Sequence, residues 1–369
     1  MTAPLGAYAL IFGLAFGLAL IVTPLAIRLG NQQGLIAEPG GRRKHGRPVV
    51  QTGAIPIYVA FVGSVLVSQL LVVNGPASSE GFASWFQVMR FDPKEVIRLS
   101  GLLLGGTVIF VIGLIDDRYE LPPVTLYVSQ IFAGAIAIAF LIIIESINNP
   151  LTGLQTDRFP YIVTVTATLF WLGLMINTVN WLDGADGLAT GVTAIACLIL
   201  FIHAAFQLNP PQHSVAILPV ALLGATLGFL PFNFAPARIF LGSGAHLLGF
   251  FLGVLSIIGG AKMASILLVM GLPLLDVAWQ IVRRLSEGKN PAFGDRGHLH
   301  FRLEELGLSH QQIAWGYYVF CASFGALALL IPSRLYKLIA LGVMALIALI
   351  GFLWLARQTP QPYEEGDEH

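Results

Sequence analysis

Residues 177–191 read Asn-Thr-Val-Asn-Trp-Leu-Asp-Gly-Ala-Asp-Gly-Leu-Ala-Thr-Gly, a polar link between two apolar runs. Asn177, Asn180, Asp183 and Asp186 recur every three residues, and Gly184 and Gly187 each follow an aspartate. Glycine lets the backbone bend tightly and approach a ligand closely. Carboxylates and amides are hard oxygen ligands for Mg²⁺, which keeps waters and takes further oxygens from a substrate phosphate. A turn that caps two helices with Asn and Asp would use the same residues. The placement of the other polar clusters decides between the two.

Four further clusters carry groups of that kind. Arg42, Arg43, Lys44, His45 and Arg47 form a basic loop suited to a lipid phosphate or to headgroups at a membrane surface. Asp116 and Asp117 stand side by side, an arrangement that costs free energy unless a cation or a shifted pKa relieves it. Asn233 and Arg238 flank a Pro-Ala turn, followed by Gly242 and Gly244, whose backbone N–H groups could face an anion. The segment 295–302 reads Asp-Arg-Gly-His-Leu-His-Phe-Arg. His298 and His300 between Arg296 and Arg302 suit a phosphate better than zinc, which would take Cys or a third His.

The elements that must position these groups are membrane helices. Of the 369 residues, 56% are hydrophobic and 11% charged, with mean hydropathy +0.78. A soluble domain carries about 25% charged residues, so the chain is an all-α polytopic membrane protein. Eleven apolar runs approach spanning length, at 7–27, 55–73, 99–115, 124–144, 160–176, 188–206, 215–230, 239–259, 263–282, 313–331 and 337–356. Ten is the alternative count. Residues 1–356 read as one helical domain and 357–369 as a disordered acidic tail. The first run lacks preceding basic residues and a small-residue cleavage site, so it reads as an uncleaved span. Gly13/Gly17, Gly101/Gly105 and Gly249/Gly253 have the spacing of closely packed helices. Cys197 and Cys321 lie within apolar runs and read as packing residues.

Net charge is zero, and no nucleic-acid partner is expected. Charge distribution sets orientation. With the N-terminus outside, the links after odd-numbered spans and the tail hold about thirteen of the twenty Lys and Arg residues, which makes that face cytoplasmic. All five polar clusters fall on its links. Independent capping turns would not sort by side, so one composite site on that face is expected. Carboxylates for a divalent cation, and Arg and His for phosphates, on a membrane scaffold point to phosphoryl transfer involving a lipid.

The sequences around Asp116-Asp117-Arg118, Asn177 to Ala189, Pro236 to Phe240 and Asp295 to His300 resemble the polyprenyl-phosphate N-acetylhexosamine-1-phosphate transferases of glycosyltransferase family 4. The resemblance runs from about Arg42 to Leu303, and its Asp-Arg-Gly-His-Leu-His form looks like the bacterial N-acetylglucosamine-1-phosphate branch. It implies that a UDP-N-acetylhexosamine gives its sugar-1-phosphate to undecaprenyl phosphate, releasing UMP, with Mg²⁺ or Mn²⁺ required. That would be the first membrane step of cell-envelope glycan synthesis in the plasma membrane, and a homodimer is left open.

By the same resemblance, Asp116, Asp117, Asp183, Asp186 and His298 are the candidate catalytic residues. Asp116, Asp117, Asn180 and Asp183 would hold the metal, with Asp186 supporting their loop. Asn233 would contact the nucleotide. Asn177, Arg296, His300 and Arg302 would bind the donor, and His45 the lipid phosphate. Two positions depart from the family pattern. A Lys before Leu126 and an Asp after Gly242 are missing. They leave a catalytically silent scaffold of the same fold as an alternative, with a lipid or sugar transporter as a second.

Overall fold

The computed structural model describes residues 3–37, 48–74, 85–149, 151–152, 154–259, 263–289 and 297–358. Its helices are α1 Leu5–Gln33, α2 Ala54–Ser68, α3 Lys94–Tyr119, α4 Pro123–Ala139, α5 Tyr161–Leu182, α6 Leu188–Ile202, α7 His213–Asn233, α8 Gly244–Ile258, α9 Met263–Val269, α10 Gly271–Ser286, α11 Leu299–Glu305, α12 His310–Leu330 and α13 Arg334–Gln358. A π-helical turn, His203–Gln207, extends α6.

Every apolar run lies on a helix, and the chain is a polytopic membrane protein. The eleven runs correspond to seven long helices, one bent pair and three shorter apolar helices. Among the described residues seven helices are long and apolar enough to cross: α1, α3, α5, α6 with its π turn, α7, α12 and α13. The α9–α10 pair, bent by 75°, makes eight if it is one span. The remaining runs form the shorter helices α2, α4 and α8. A 15-residue helix such as α8 extends only about 22 Å, against a hydrocarbon core of about 30 Å.

Helix α8 is apolar on every side, which is the composition of an interior helix. Leu247, Leu248, Phe250, Phe251 and Leu252 have no exposed surface, and α5, α3, α6 and α2 pack around them. On the other flank α7 lies against α1. Cβ atoms added at Gly224 and Gly228 would fall 2.6 and 2.4 Å from the carbonyl oxygens of Phe12 and Phe16, so only glycine permits this crossing. The expectation for Gly13 and Gly17 is corrected here, because nothing lies within 4 Å of where their Cβ atoms would be. The spacing was right for a glycine contact, but α7 supplies it. Gly249 and Gly253 do meet α5, and Gly101 and Gly105 receive the rings of Phe140 and Phe250.

Short strands tie links together at one end. Strands β1 (Ile36–Ala37) and β2 (Val49–Val50) pair antiparallel, and Val50 forms a parallel bridge with Ile239. The Gly53 N–H donates to Phe240 O at 3.1 Å, and the Phe240 N–H to Val50 O at 2.8 Å. At the other end of α3, Arg98 pairs with Asp92 at 3.0 Å and Arg90 with Glu95 at 3.6 Å, next to β3 (Val72–Asn74) and β4 (Val88–Arg90). Cys197 and Cys321 are buried and unbridged.

Candidate active site

Successive residues on a helix point about 100° apart, and at the end of α3 this separates the two adjacent aspartates. Asp116 turns back on its own chain and accepts the Leu121 N–H at 2.9 Å. Asp117 points to the start of α8, where it accepts the Ser243 N–H at 2.9 Å and the Ser243 Oγ–H at 2.7 Å. The helix thus sends the two carboxylates in different directions, and the charge of Asp117 is the one that acts on Asp183. Two small residues make the approach possible. A Cβ at Gly113 would lie 2.5 Å from Ser243 Cβ, and Gly242, at φ +56°, would place one 2.7 Å from Asp117 Oδ1.

The link after α5 enters beside it. Asp183 accepts no hydrogen bond from the described residues, and burial, then the charges of Asp186 and Asp117, hold its carboxyl well above the usual carboxylate range. Three acids thus act on one another across two links separated in sequence. Asn180 stands one turn before Asp183 and its carbonyl accepts the Asp183 N–H. Asp186 spends its oxygens on structure: Oδ2 accepts the Ala237 N–H at 2.9 Å, and Oδ1 lies 3.6 Å from His310 Nδ1. Asn177 donates to Gln130 on α4 at 2.9 Å and to Gly173 O at 2.7 Å, so its NH₂ joins two helices.

Asn233 is 1% exposed, and both ends of its amide are taken. Its Oδ1 accepts from Thr190 at 2.7 Å and its Nδ2 donates to Ile239 O at 3.0 Å. This bonding holds α7, α6 and the bridge to Val50 in register and leaves little of the amide for a nucleotide. Arg238 is exposed on the same turn.

The fifth cluster closes over this floor. His298 is 4% exposed, its ring packs against Trp181 at 5.6 Å, and it lies nearly parallel to His300 at 5.9 Å. His300 sits directly on the aspartate link, because a Cβ at Gly184 would fall 2.0 Å from His300 Nε2. Arg302 Nε donates to Gly297 O at 3.0 Å, and Gln280 Nε2 donates to the same oxygen. His45 and Arg296 lie outside the described residues, as do the rest of the basic loop at 42–47 and Asp295.

One residue of the site carried no assignment from sequence. Asp276, buried in α10, accepts from His298 Nδ1 at 2.9 Å and from the Leu299 N–H at 3.0 Å. The signal was present, since a carboxylate in an apolar helix needs a partner, but the partner is 22 positions away. Ser243 was legible only as the place where an aspartate was absent.

Among the described residues no three His, Cys, Asp or Glu side chains form a ready-made metal cage. Mg²⁺ does not require one, because it is commonly held by one or two carboxylates, waters and substrate phosphates. An unbonded carboxylate crowded by two others is a donor set that gains from a hard cation. Asp183, with Asn180 beside it, fits such an ion.

Residues 99–260 match glycosyl transferase family 4. The chain is 29% identical to a decaprenyl-phosphate N-acetylglucosaminephosphotransferase of Mycolicibacterium smegmatis, over 93% of this chain and 86% of the relative. It is 26% identical to a probable undecaprenyl-phosphate N-acetylglucosaminyl 1-phosphate transferase of Bacillus subtilis, over 85% and 82%. A phospho-N-acetylmuramoyl-pentapeptide-transferase of Listeria monocytogenes is 29% identical over 57% of this chain.

Proposed function

We propose, for a chain whose residues 99–260 match glycosyl transferase family 4, that it transfers N-acetylglucosamine-1-phosphate from its UDP-sugar to a polyprenyl phosphate such as undecaprenyl phosphate. The carrying observation is the meeting of Asp117, Asp183 and the His298–His300 pair at one end of the helices, in a chain similar over most of its length to relatives named for this transfer. In the reaction a lipid phosphate oxygen attacks the phosphorus bonded to the sugar. The bond from that phosphorus to the bridging oxygen breaks, and UMP leaves with the oxygen.

Catalysis of this kind is mainly positioning and charge neutralisation. Mg²⁺ or Mn²⁺, held by Asp183 with Asn180, would neutralise the donor diphosphate. Asp117, held by Ser243, would serve the acceptor side. His298, His300 and Arg302 approach the donor from above the Gly184 link. Asp186, Asn177 and Asn233 hold that link and its neighbours in place. By the positive-inside distribution this end is cytoplasmic and the N-terminus lies outside. The link 240–244 is held to α3 by Ser243, which donates both its N–H and its Oγ–H to Asp117, and similarity to relatives named for this transfer favours that activity over a silent scaffold.

Purified protein given Mg²⁺, UDP-N-acetylglucosamine and undecaprenyl phosphate should yield lipid-diphosphate sugar and UMP in equal amounts. Failure to form either product across several UDP-N-acetylhexosamines, at high enzyme and in a folded sample, would reject the proposal.

A further inference from the structure

The two oxygens of Asp276 have separate tasks. Oδ1 accepts the Leu299 N–H, the first amide of α11, and so caps that short helix. Oδ2 faces His298 Nδ1 at 2.9 Å. Both side chains are almost sealed, at 5% and 4% exposure, so the pair is neither screened nor replaced by water. As a carboxylate Asp276 has no hydrogen to donate, so Oδ2 accepts from Nδ1 as Oδ1 accepts from the Leu299 N–H. It therefore requires a hydrogen on Nδ1, and the remaining nitrogen, Nε2, has no partner among the described residues. The ring cannot swing away, because Trp181 packs against it and the His300 ring lies alongside at an angle of 11°. Behind the pair, Gln280 and Arg302 both hold the Gly297 carbonyl, which fixes the backbone entering His298.

We infer that Asp276 is a positioning residue that locks His298 with its hydrogen on Nδ1 and presents Nε2 to the substrate. The inference deepens the proposed transferase reading and rests on it for the identity of that substrate. Asp276 touches no substrate itself. It selects the tautomer and aims the ring. A buried aspartate that orients a histidine through Nδ1 acts in the same way in serine hydrolases, where the amide variant keeps the geometry and imposes the wrong tautomer.

Asp276→Asn is the discriminating variant. Its Oδ1 can still cap Leu299, while its NH₂ group must face His298 Nδ1 and turn that atom into an acceptor. The hydrogen then moves to Nε2. In protein carrying ¹⁵N-histidine, with the His298 signals assigned by their loss in His298→Gln, the wild type should show a protonated Nδ1. Asp276→Asn should show it unprotonated, with thermal unfolding little changed. Turnover should fall on the order of 10²-fold in Asp276→Asn, with a smaller change in donor KM. The loss should shrink to less than 2-fold when the same change is made in His298→Gln, because a residue acting through another adds nothing once that one is gone. An unchanged tautomer in Asp276→Asn, or losses that multiply in the double variant, would overturn the inference. If the wild type transferred nothing, the proposed function would fail, while the nitrogen spectra would still decide whether Asp276 sets the tautomer.

Discussion

Asp117 and Ser243 lie 126 positions apart, and the carboxylate of one accepts both the backbone N–H and the hydroxyl of the other, at 2.9 and 2.7 Å. Bonds of this kind to a charged acceptor contribute more than neutral ones, about 1.5–3 kcal/mol each. The pair also joins α3 to the interior helix α8, since α3 ends at Asp117's turn and α8 begins just after Ser243. Ser243→Ala keeps the N–H and loses the hydroxyl. It should lower turnover about tenfold and thermal stability modestly, read by initial rates and by unfolding of purified protein. Unchanged rates would show that Asp117 does not need this second donor.

Asp183 gives a pH dependence whose sign follows from its surroundings. Burial and the charges of Asp186 and Asp117 raise its pKa, so the folded protein holds this proton more tightly than the unfolded chain. Without metal, stability should be full at pH below the ordinary carboxylate value. It should then decline as pH rises, until the raised folded value is passed. Mg²⁺ must displace that proton, so its affinity should rise with pH over the same window. Thermal unfolding with and without Mg²⁺ across pH measures both slopes, and Asp183→Asn should flatten both while removing turnover.

Gly184 is the contact between the aspartate link and the histidine segment. Its Cβ would lie 2.0 Å from His300 Nε2 and 2.8 Å from the Phe301 ring. Gly184→Ala should therefore displace His300 and reduce turnover on the order of 10²-fold, in the range seen when a group that stabilises a transition state is lost. The folded yield should be largely kept, because the side chains that must move lie on the short helix α11. Comparable activity would mean that His300 need not sit on the link.

Much of this organisation is legible in the sequence, because hydropathy and polarity report on each element separately. The apolar runs mark the helices, and the polar links mark the end where they gather. What could not be read is the direction of each side chain and the partner it finds. Asp116 and Asp117 look like a pair as neighbours, yet a helix sends neighbours apart. Asn233 looks available for a ligand, but Thr190 and Ile239 take its amide. Gly13 and Gly17 carry the packing spacing, while α1 is crossed by Gly224 and Gly228 instead.

That last contrast is testable in the fold alone. Gly228→Leu must force α1 away from α7, since even a single carbon there meets Phe16 O at 2.4 Å. Overpacking of this kind costs about 1–3 kcal/mol or more, and should appear as a large loss of folded protein. Gly13→Leu, facing open space, should be within about 0.5 kcal/mol of neutral. Equal damage by both would contradict the assigned helix crossing.

The links bearing Asp117, Arg238 and His298 gather at one end of the helices, and the proposed transfer requires that end to face the cytoplasm. This placement is tested most directly by single cysteines at the exposed positions Tyr119, Arg238 and Glu305, with Leu151 as the marker of the other end, in a background with Cys197 and Cys321 replaced by Ala. A membrane-impermeant thiol reagent should label the first three only in inside-out vesicles and Leu151→Cys only in right-side-out ones. Labelling of Tyr119→Cys, Arg238→Cys and Glu305→Cys from different sides would contradict the account.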